Sequence, residues 1–339
     1  MNAAILREWY PMSFAAKLIA WQRRHGRHGL PWQGTRDPYR IWLSEIMLQQ
    51  TQVGAVIPYF NRFLERFPSV EALARASEDE VLQLWSGLGY YARGRNLHKA
   101  AREIQREGFP RSAEKIAELP GVGRSTAAAI AVFAFGQRAA ILDGNVKRVL
   151  SRCYGIADKN ALWPLAERLL PRKDLASYTQ GLMDLGATVC TRNPECGRCP
   201  VKARCVARRT GRIGELPAAR PRKPLPLRRV TWFVFMDGKR ILLERRPSPG
   251  IWGGLWCFPE GADASVRPRV ARKLAPIDHG FTHFRLKIQP LLCEARLRER
   301  PGQIWLDLAD AAQAAIPAPV KNLLQDLQRN ATRNVRSRR

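Results

Sequence analysis

Four of the seven cysteines lie within sixteen residues, in the spacing C-x5-C-x2-C-x5-C. They are Cys190, Cys196, Cys199 and Cys205. Two thiolates separated by two residues can hold one metal centre, and the five-residue loops can return the outer two thiolates to it. The spacing leaves a tetrahedral zinc ion and a 4Fe–4S cluster both open, since each accepts four thiolates. The odd cysteine count favours a reducing compartment over a disulfide framework.

Two carboxylates stand in contexts that suit acid–base chemistry. Glu45 is the one ionisable residue of the apolar segment Ile41–Val53, so partial desolvation would raise its pKa and let it donate a proton at neutral pH. Asp143 precedes a helix predicted from Gly144, whose N-terminus would keep it anionic. A solvent-facing glutamate and a simple helix cap are the structural alternatives. Together, a proton donor and an anion are the pair that cleaves a glycosidic bond.

Two glycine-containing segments suggest contact with nucleic acid. In Leu119–Ala127, Gly121 and Gly123 permit a tight turn ahead of a helix N-terminus, which binds phosphate through backbone N–H groups. In Gly87–Arg93, Tyr90 can enter a base stack, and we expect Arg93 and the nearby Arg95 to meet phosphates. The alternatives are an ordinary turn between helices and a buried tyrosine anchor.

Length and charge bound the class of protein. The 339 residues predict two domains, and the formal net charge of +28 predicts a polyanionic partner, nucleic acid before an acidic membrane. The chain contains no long uncharged apolar run and no secretory pattern at its N-terminus, so we expect neither a membrane span nor export. The content of apolar residues, 45%, excludes disorder for most of the chain.

The chain changes character after the cysteines. Helical periodicity recurs up to residue 205, in Phe14–Trp21, Ile41–Val53, Val70–Leu84 and Ala161–Leu170. Residues 211–229 are predicted to form an exposed basic, proline-rich linker. Strands are predicted at 230–236 and 240–244, joined by Asp237-Gly238, and at 282–290, followed by a helix at 320–327. The arginine-rich residues 329–339 are predicted to be a disordered tail.

These segments together resemble the helix–hairpin–helix DNA glycosylases, and among them the MutY-type adenine glycosylases, over about residues 14–328. The resemblance rests on Leu30-Pro-Trp32, Ser44–Thr51, Gly87–Tyr91, Pro120–Ser125, Leu142–Val146 and the cysteines. It implies an α-helical HhH-GPD glycosylase domain with an iron–sulfur cluster loop over residues 1–210, followed by a C-terminal α+β Nudix-like domain over 230–328. The six-helix subdomain would cover about residues 33–135, and the cluster subdomain would cover residues 1–32 and 136–210. The cofactor would be one 4Fe–4S cluster on the four cysteines, although the family usually has six residues in the first interval.

The resemblance also implies roles for individual residues. Glu45 would protonate N7 of a flipped-out adenine, Asp143 would stabilise the sugar cation, and Asn145 would position the pair. Ser125 replaces the lysine nucleophile of bifunctional relatives, which implies a monofunctional enzyme. The remaining residues expected to contact substrate or DNA are Leu30, Trp32, Gln50, Thr51, Leu88, Tyr90, Gly121, Gly123 and, on the adenine edge, Gln180.

The C-terminal region resembles the MutT-like domain that these glycosylases carry. Arg246–Pro259 matches it, but 261–280 offers only Asp263 and Asp278, too few acids to hold magnesium on a diphosphate. A reading role is therefore expected, in which Phe281, Thr282 and His283 inspect 8-oxoguanine. Thr282 stands where the family commonly has serine.

The expected partner is double-stranded DNA with adenine opposite 8-oxoguanine or guanine, bound by a monomer in base excision repair. The expected location is the bacterial cytoplasm, associated with the nucleoid. Three other functions compete: a thymine or oxidised-pyrimidine glycosylase, a nucleotide-pool hydrolase and a non-catalytic DNA-binding scaffold. The combination of Glu45, Ser125 and the reading domain disfavours the pyrimidine glycosylase. The missing acids of the C-terminal domain disfavour the nucleotide-pool hydrolase, and the presence of both carboxylates disfavours the scaffold.

Overall fold

The computed structural model describes residues 11–158, 160–218, 224–260, 269–294 and 299–336. The chain forms two compact units, one of Met1–Ala74 with Lys99–Pro221 and one of Arg75–His98 with Arg222–Arg339. The second unit therefore includes a segment from within the helical half, which the expected boundary near residue 210 does not anticipate. No helix in the described ranges is long and apolar enough to cross a bilayer.

The helices before the first strand are numbered in chain order. They are α1 (Pro11–His25), α2 (Pro38–Leu48), α3 (Val53–Arg66), α4 (Val70–Arg75), α5 (Glu78–Trp85), α6 (Ala92–Glu107), α7 (Ala113–Ile116), α8 (Arg124–Phe135), α9 (Gly144–Tyr154), α10 (Leu162–Arg168), α11 (Leu175–Asp184) and α12 (Val206–Arg209). A π-helical turn, Leu185–Val189, follows α11, and two short 3-10 turns, Cys196–Arg198 and Lys202–Arg204, lie among the cysteines.

Two predicted helices are each interrupted. The expected helix Ile41–Val53 ends at Leu48, because four polar residues follow and Gln50 takes a left-handed φ of 59° before α3 begins at Val53. The expected helix Val70–Leu84 divides into α4 and α5. Ser77 caps α5, accepting from the Glu80 backbone N–H at 3.2 Å, while the Glu80 side chain accepts from the Ser77 N–H at 2.9 Å.

The core of the helical unit joins α1, α9 and α11. Phe14, Leu18, Val146, Tyr178 and Leu182 are among its buried side chains. Gly181 allows α11 to approach α1 closely, because a Cβ there would lie 3.1 Å from Cγ of Leu18. Burial of these apolar faces fixes α9, and with it the residue that caps its N-terminus.

The second unit contains a seven-stranded sheet in its described residues. The strands are β1 (Leu227–Asp237), β2 (Arg240–Arg245), β3 (Trp256–Cys257), β4 (Arg269–Lys273), β5 (Ile277–Gly280), β6 (Arg285–Glu294) and β7 (Gln303–Asp307). The order is β3-β2-β1-β6-β4, with β7 on β2 and β5 on β6. The β1–β2 hairpin turns at Asp237-Gly238, as the sequence predicts. The helices α13 (Leu308–Ala311) and α14 (Ala318–Arg336) follow the sheet.

The predicted linker and tail are shorter than expected. Strand β1 begins at Leu227, because residues 227–229 pair in parallel with 285–287 of β6, and Leu216 is buried in the helical core. Helix α14 continues to Arg336, since Val320, Leu324 and Leu327 bury one face and a formed helix extends at little cost. Residues 219–223 of the linker, 261–268 with Asp263, and 337–339 of the tail lie outside the described residues.

The end of α9 gives a test of this packing. Gly155 and Gly136 each end a helix with a left-handed φ of 67°. A Cβ on Gly155 would lie 2.7 Å from Cγ1 of Val206, whereas a Cβ on Gly136 would meet nothing within 4 Å. We expect Gly136→Ala to cost about 1–2 kcal/mol in unfolding free energy. Gly155→Ala should cost at least about 1 kcal/mol more, from overpacking.

Thermal and urea unfolding of the two variants beside wild type measure the difference, with Gly136→Ala as the matched control. Equal destabilisation would show that α12 does not pack against α9 as described.

Candidate active site

A cavity of about 530 Å³ opens in the helical unit. It is lined by residues of α1, the segment that follows it, α2 and α11, with Phe133 of α8 and Val53 of α3. Four predicted site residues line the cavity: Leu30, Trp32, Glu45 and Gln180. Trp32 is held edge-on against the Phe60 ring, with centroids 5.3 Å apart.

Glu45 places a carboxyl group on the wall of this cavity. Its neighbours on α2 are apolar and buried, among them Leu43, Ile46 and Met47. Burial raises the pKa of Glu45 to about 8, and the nearby charge of Asp143 acts in the same direction. The pKa of Glu45 is therefore raised in the direction that the sequence predicts, and a carboxyl group with this pKa is suited to donate a proton at neutral pH.

Asp143 occupies the N-cap of α9, also as predicted. Its Oδ1 accepts a hydrogen bond of 2.8 Å from the Val146 backbone N–H. A carboxylate at a helix N-terminus is stabilised as an anion. The peptide just before it is held by Ser125, whose Oγ accepts from the Leu142 N–H at 2.9 Å. Ser125 thus supports the loop that carries Asp143.

Asn145 belongs to a network that runs along α9 toward the cysteines. Nη2 of Arg148 donates to Oδ1 of Asn145 at 2.8 Å and to the Gly186 carbonyl at 2.7 Å, and its Nε donates to the Cys190 carbonyl at 2.7 Å. Gly186 is required for this approach, because a Cβ there would lie 2.7 Å from Cβ of Asn145. The network fixes the first turn of α9, where Asp143 is attached.

The four predicted metal ligands surround one small void. Cys190, Cys196, Cys199 and Cys205 line it together with apolar side chains such as Leu185 and Val189, and all four thiols are free. Within the ranges that the structure describes, no group of three or more His, Cys, Asp or Glu side chains is arranged to hold a metal ion.

A buried arginine beside the void indicates which kind of group the void can hold. Arg152 is 5% exposed, and its Nη1 lies 3.6 Å from Sγ of Cys190. Its guanidinium otherwise donates to the carbonyls of Thr191, Arg192 and Leu216. No carboxylate within the described ranges pairs with it. A buried cation needs negative charge nearby, and metal-bound thiolates would supply it. The four thiols are therefore of the right chemical type, and Arg152 has the right charge, for a thiolate-bound metal group, although the thiols are not gathered into a ligand set.

The hairpin before α8 has the geometry expected of a phosphate site. Gly121 has a φ of 79°, Gly123 is the N-cap, and both are exposed. Gly123 has no side chain to cap the helix, so the first N–H groups of α8 remain available to an anion. Nε2 of Gln49 donates to the Gly121 carbonyl at 3.3 Å, which braces the turn from α2. Gln50 and Thr51 follow in the same segment, Gln50 exposed and Thr51 half-buried.

In the second unit, the segment Gly87–Arg93 differs from its predicted role in two ways. Tyr90 is 46% exposed and has a φ of 49°, whereas Leu88, expected to contact DNA, is buried. Arg93 is also buried, and burial lowers its pKa to about 10. Nη2 of Arg93 donates to the Gly89 carbonyl at 3.1 Å, so this residue braces the loop rather than facing phosphate. Arg95 likewise donates to the Gly253 carbonyl.

The predicted reading loop lies between β5 and β6. Thr282 and His283 are exposed, and the Phe281 ring stacks on Phe284 with centroids 4.3 Å apart. Phe281 also packs against Trp252, at 5.6 Å between centroids. The loop therefore exposes the hydroxyl of Thr282 and the imidazole of His283 next to the packed ring of Phe281.

Asp184 is a functional candidate that sequence reasoning missed. It is fully buried on α11, where its Oδ1 accepts from Nε2 of Gln180 at 2.8 Å and from Nε of Arg27 at 2.7 Å. It thereby orients a cavity-lining amide and a cavity-lining guanidinium. The available signal was that Asp184 is the one charged residue in Leu175–Val189, as Glu45 is in Ile41–Val53.

Comparison with known proteins agrees with this fold. A model described as "HhH-GPD superfamily base excision DNA repair protein" matches residues 43–169, and a NUDIX domain model matches 231–326. A thermostable thymine-DNA glycosylase has a similar structure, with 31% identity and a TM-score of 0.55 over 59% of this chain and 97% of its own. Endonuclease III, solved in a non-covalent complex with DNA, shares the fold at 20% identity, with a TM-score of 0.52 over 60% and 98%. The helical unit thus has the fold of the HhH-GPD base excision DNA repair proteins.

Curated relatives narrow the class. The adenine DNA glycosylase of Buchnera aphidicola subsp. Acyrthosiphon pisum (strain APS) is 35% identical, over 94% of this chain and 98% of its own. The Homo sapiens adenine DNA glycosylase is 33% identical, over 93% and 74%. The chain belongs to the adenine DNA glycosylase family, whose members hydrolyse N-glycosyl bonds in base excision repair. The family and the two-part fold expected from the sequence are confirmed.

The electrostatic coupling between Glu45 and Asp143 can be measured without any substrate, from the pKa of Glu45. With the glutamate carboxyl carbons labelled with ¹³C, NMR should show one glutamate titrating near pH 8, and Glu45→Gln should remove that signal. Asp143→Asn should lower the pKa of Glu45, because it removes a neighbouring negative charge.

The Glu107→Gln variant, at an exposed position, serves as the assignment control. Titration of every glutamate below pH 6 would contradict the raised pKa of Glu45 and its coupling to Asp143.

Proposed function

We propose that this enzyme removes adenine paired with 8-oxoguanine or guanine, after the adenine leaves the duplex and enters the cavity of the helical unit. The observation that carries the proposal is the position of Glu45 on the cavity wall, where burial and the nearby charge of Asp143, the N-cap of α9, raise its pKa to about 8. Enzymes that act on a base take it out of the stack, because its reacting atoms are inaccessible there.

The proposed chemistry divides the work between the two carboxyl groups. Glu45 gives its proton to N7 of adenine, so that the C1′–N9 bond can break and its electron pair leaves with the base. The positive charge that develops on the sugar is stabilised by the carboxylate of Asp143. Water then adds to C1′ and releases a proton. Gln180, oriented by Asp184, is suited to a hydrogen bond with the adenine edge.

Ser125 supports a monofunctional reaction. A strand-cleaving glycosylase needs an amine that forms a Schiff base with the sugar. At this position the chain has a hydroxyl that already accepts from Leu142 N–H. Product DNA should therefore keep an intact strand at the abasic site until heat or alkali is applied.

DNA binding is proposed to combine general and specific contacts. The N-terminus of α8 and the net charge of +28 would supply phosphate binding that weakens with salt. Tyr90 would stack within the duplex, and the exposed Thr282 and His283 would read the base opposite adenine. Selection would thus rest on a few uncharged side chains.

We also propose one 4Fe–4S cluster on Cys190, Cys196, Cys199 and Cys205. These thiols share one void, and the buried Arg152 beside it has no carboxylate partner among the described residues. When bound, such a cluster supplies a structural crosslink and a redox-capable centre. The protein's own contribution is to hold four thiolates and to balance their charge with Arg152.

Adenine release tests the function directly. Under single-turnover conditions, we expect wild type to release adenine opposite 8-oxoguanine and opposite guanine, without nicking the strand. Glu45→Gln should slow release by about 10²–10⁴-fold, because the proton donor is lost. Glu107→Gln, an exposed glutamate on α6, should match wild type.

Release of thymine but not adenine from mismatched duplexes would favour the activity of the thymine-DNA glycosylase that the helical unit resembles. Adenine release by Glu45→Gln at the wild-type rate would overturn the acid assignment.

Metal analysis tests the cofactor. Purified protein should contain about four irons per chain and absorb visible light, as clusters of this type do. Cys199→Ser should lower both, whereas Cys293→Ser, at a buried cysteine of the sheet, should leave both unchanged. One zinc per chain without iron would contradict the cluster and select the tetrahedral alternative.

A further inference from the structure

Two exposed aromatic loops lie in the same compact unit, although one comes from the helical half of the sequence. The segment 75–98, which carries Tyr90, clusters with 222–339, which carries the loop 281–284. The contacts between them are specific. Nε2 of Gln83 donates to the Gln313 carbonyl at 2.7 Å, and Arg245 pairs with Asp79 at 2.8 Å.

The Tyr90 loop, residues 87–90, is held at both ends by hydrogen bonds to one carbonyl group; we call this pair of bonds the clamp. Oγ of Ser86, just before the loop, donates to the Ile316 carbonyl at 2.8 Å. The hydroxyl of Tyr91, just after it, donates to the same carbonyl at 3.3 Å. The Gly87 N–H in turn donates to the Tyr91 oxygen at 3.4 Å. Ile316 is fully buried, so the anchor itself is fixed.

Between these two ends, contacts with Arg93 hold the loop in one backbone conformation. Tyr90 holds a left-handed φ of 49°, which costs a non-glycine residue energy unless its surroundings impose it. Arg93 imposes it from below, with its guanidinium carbon 5.4 Å from the Tyr90 ring centroid and hydrogen bonds to the carbonyls of Leu88 and Gly89. The loop therefore moves together with its anchor.

The anchor connects to the loop 281–284 through β3 and the turn before it. The Trp256 N–H donates to the Ala315 carbonyl at 2.9 Å, next to Ile316. Arg95 donates through its side chain to the Gly253 carbonyl and through its backbone to the Tyr91 carbonyl, the latter at 3.1 Å. Trp252, beside Gly253, packs on Phe281 with centroids 5.6 Å apart. Contacts thus run without a break from Phe281 to Tyr90.

We propose that Ser86 and Tyr91 are positioning residues that make Tyr90 and the loop 281–284 act on DNA as one body. Engagement of the base opposite adenine by this loop then drives Tyr90 into the base stack, and so favours extrusion of adenine. The proposal rests on the proposed function, because that function assigns the reading and stacking roles.

The test uses the full-length enzyme with Ser86→Ala and Tyr91→Phe, each of which removes a single hydroxyl. Single-turnover rates of adenine release are measured opposite 8-oxoguanine and opposite guanine, with affinity for the 8-oxoguanine product duplex and the thermal midpoint. We expect each variant to slow the 8-oxoguanine reaction by about 3- to 10-fold, the range of one hydrogen bond. The rate of adenine release opposite guanine should change by less than about twofold, because the loop 281–284 engages guanine less than 8-oxoguanine and so contributes less to the insertion of Tyr90.

Three comparison variants separate coupling from damage. Ser86→Thr keeps the hydroxyl and should have the wild-type ratio of the rate opposite 8-oxoguanine to the rate opposite guanine. Gln83→Ala removes a bond to the same C-terminal segment outside the clamp and should leave the ratio unchanged. Thr282→Ala should weaken product binding, whereas Ser86→Ala and Tyr91→Phe should not.

An unchanged rate ratio in Ser86→Ala and Tyr91→Phe would overturn the proposal. So would an equal fall of both rates, which would indicate a structural role alone. Failure of the proposed function is distinct, since wild type itself would then release no adenine.

Discussion

The structure of the site depends on the fixed N-terminus of one buried helix, Gly144–Tyr154. Asp143 caps it, and Arg148 ties its first turn to the carbonyls of Gly186 and Cys190. One face of the helix is buried in the core, and its end packs at Gly155 against the helix that follows the last cysteine. Asp143 and the segment that carries the four cysteines are therefore both held by contacts with the same helix.

The two carboxyl groups differ because their surroundings differ. Asp143 accepts an N–H at a helix terminus, which stabilises negative charge. Glu45 stands on an apolar helix at the cavity wall, where burial and the neighbouring anion both favour the protonated form. The raised pKa of Glu45 is the property that a proton donor for cleavage of a glycosidic bond requires. The second unit adds the exposed side chains of Thr282 and His283.

The sequence predicted the elements whose signal is local. Asp143 was recognised as a helix cap, Asp237-Gly238 as a hairpin turn, and Glu45 as the one ionisable residue in its apolar segment, and all three predictions match the structure. The membership of residues 75–98 in the second unit could not be predicted, because it depends on the backbone carbonyls of Gln313 and Ile316, which leave no trace in side-chain type. Arg93 was assigned to phosphate for the same reason, since the loop carbonyls that bury it become visible only after folding.

The central claim is that Glu45 acts as the proton donor because its surroundings keep it protonated at neutral pH. The pH dependence of single-turnover adenine release, with enzyme in excess over duplex, measures this most directly. The rate constant should stay level up to about pH 7.5 and then fall about tenfold per pH unit above an apparent pKa of about 8. A rate constant that stays level to pH 9, or that falls already above about pH 5, the range of an unperturbed carboxyl, would contradict the account.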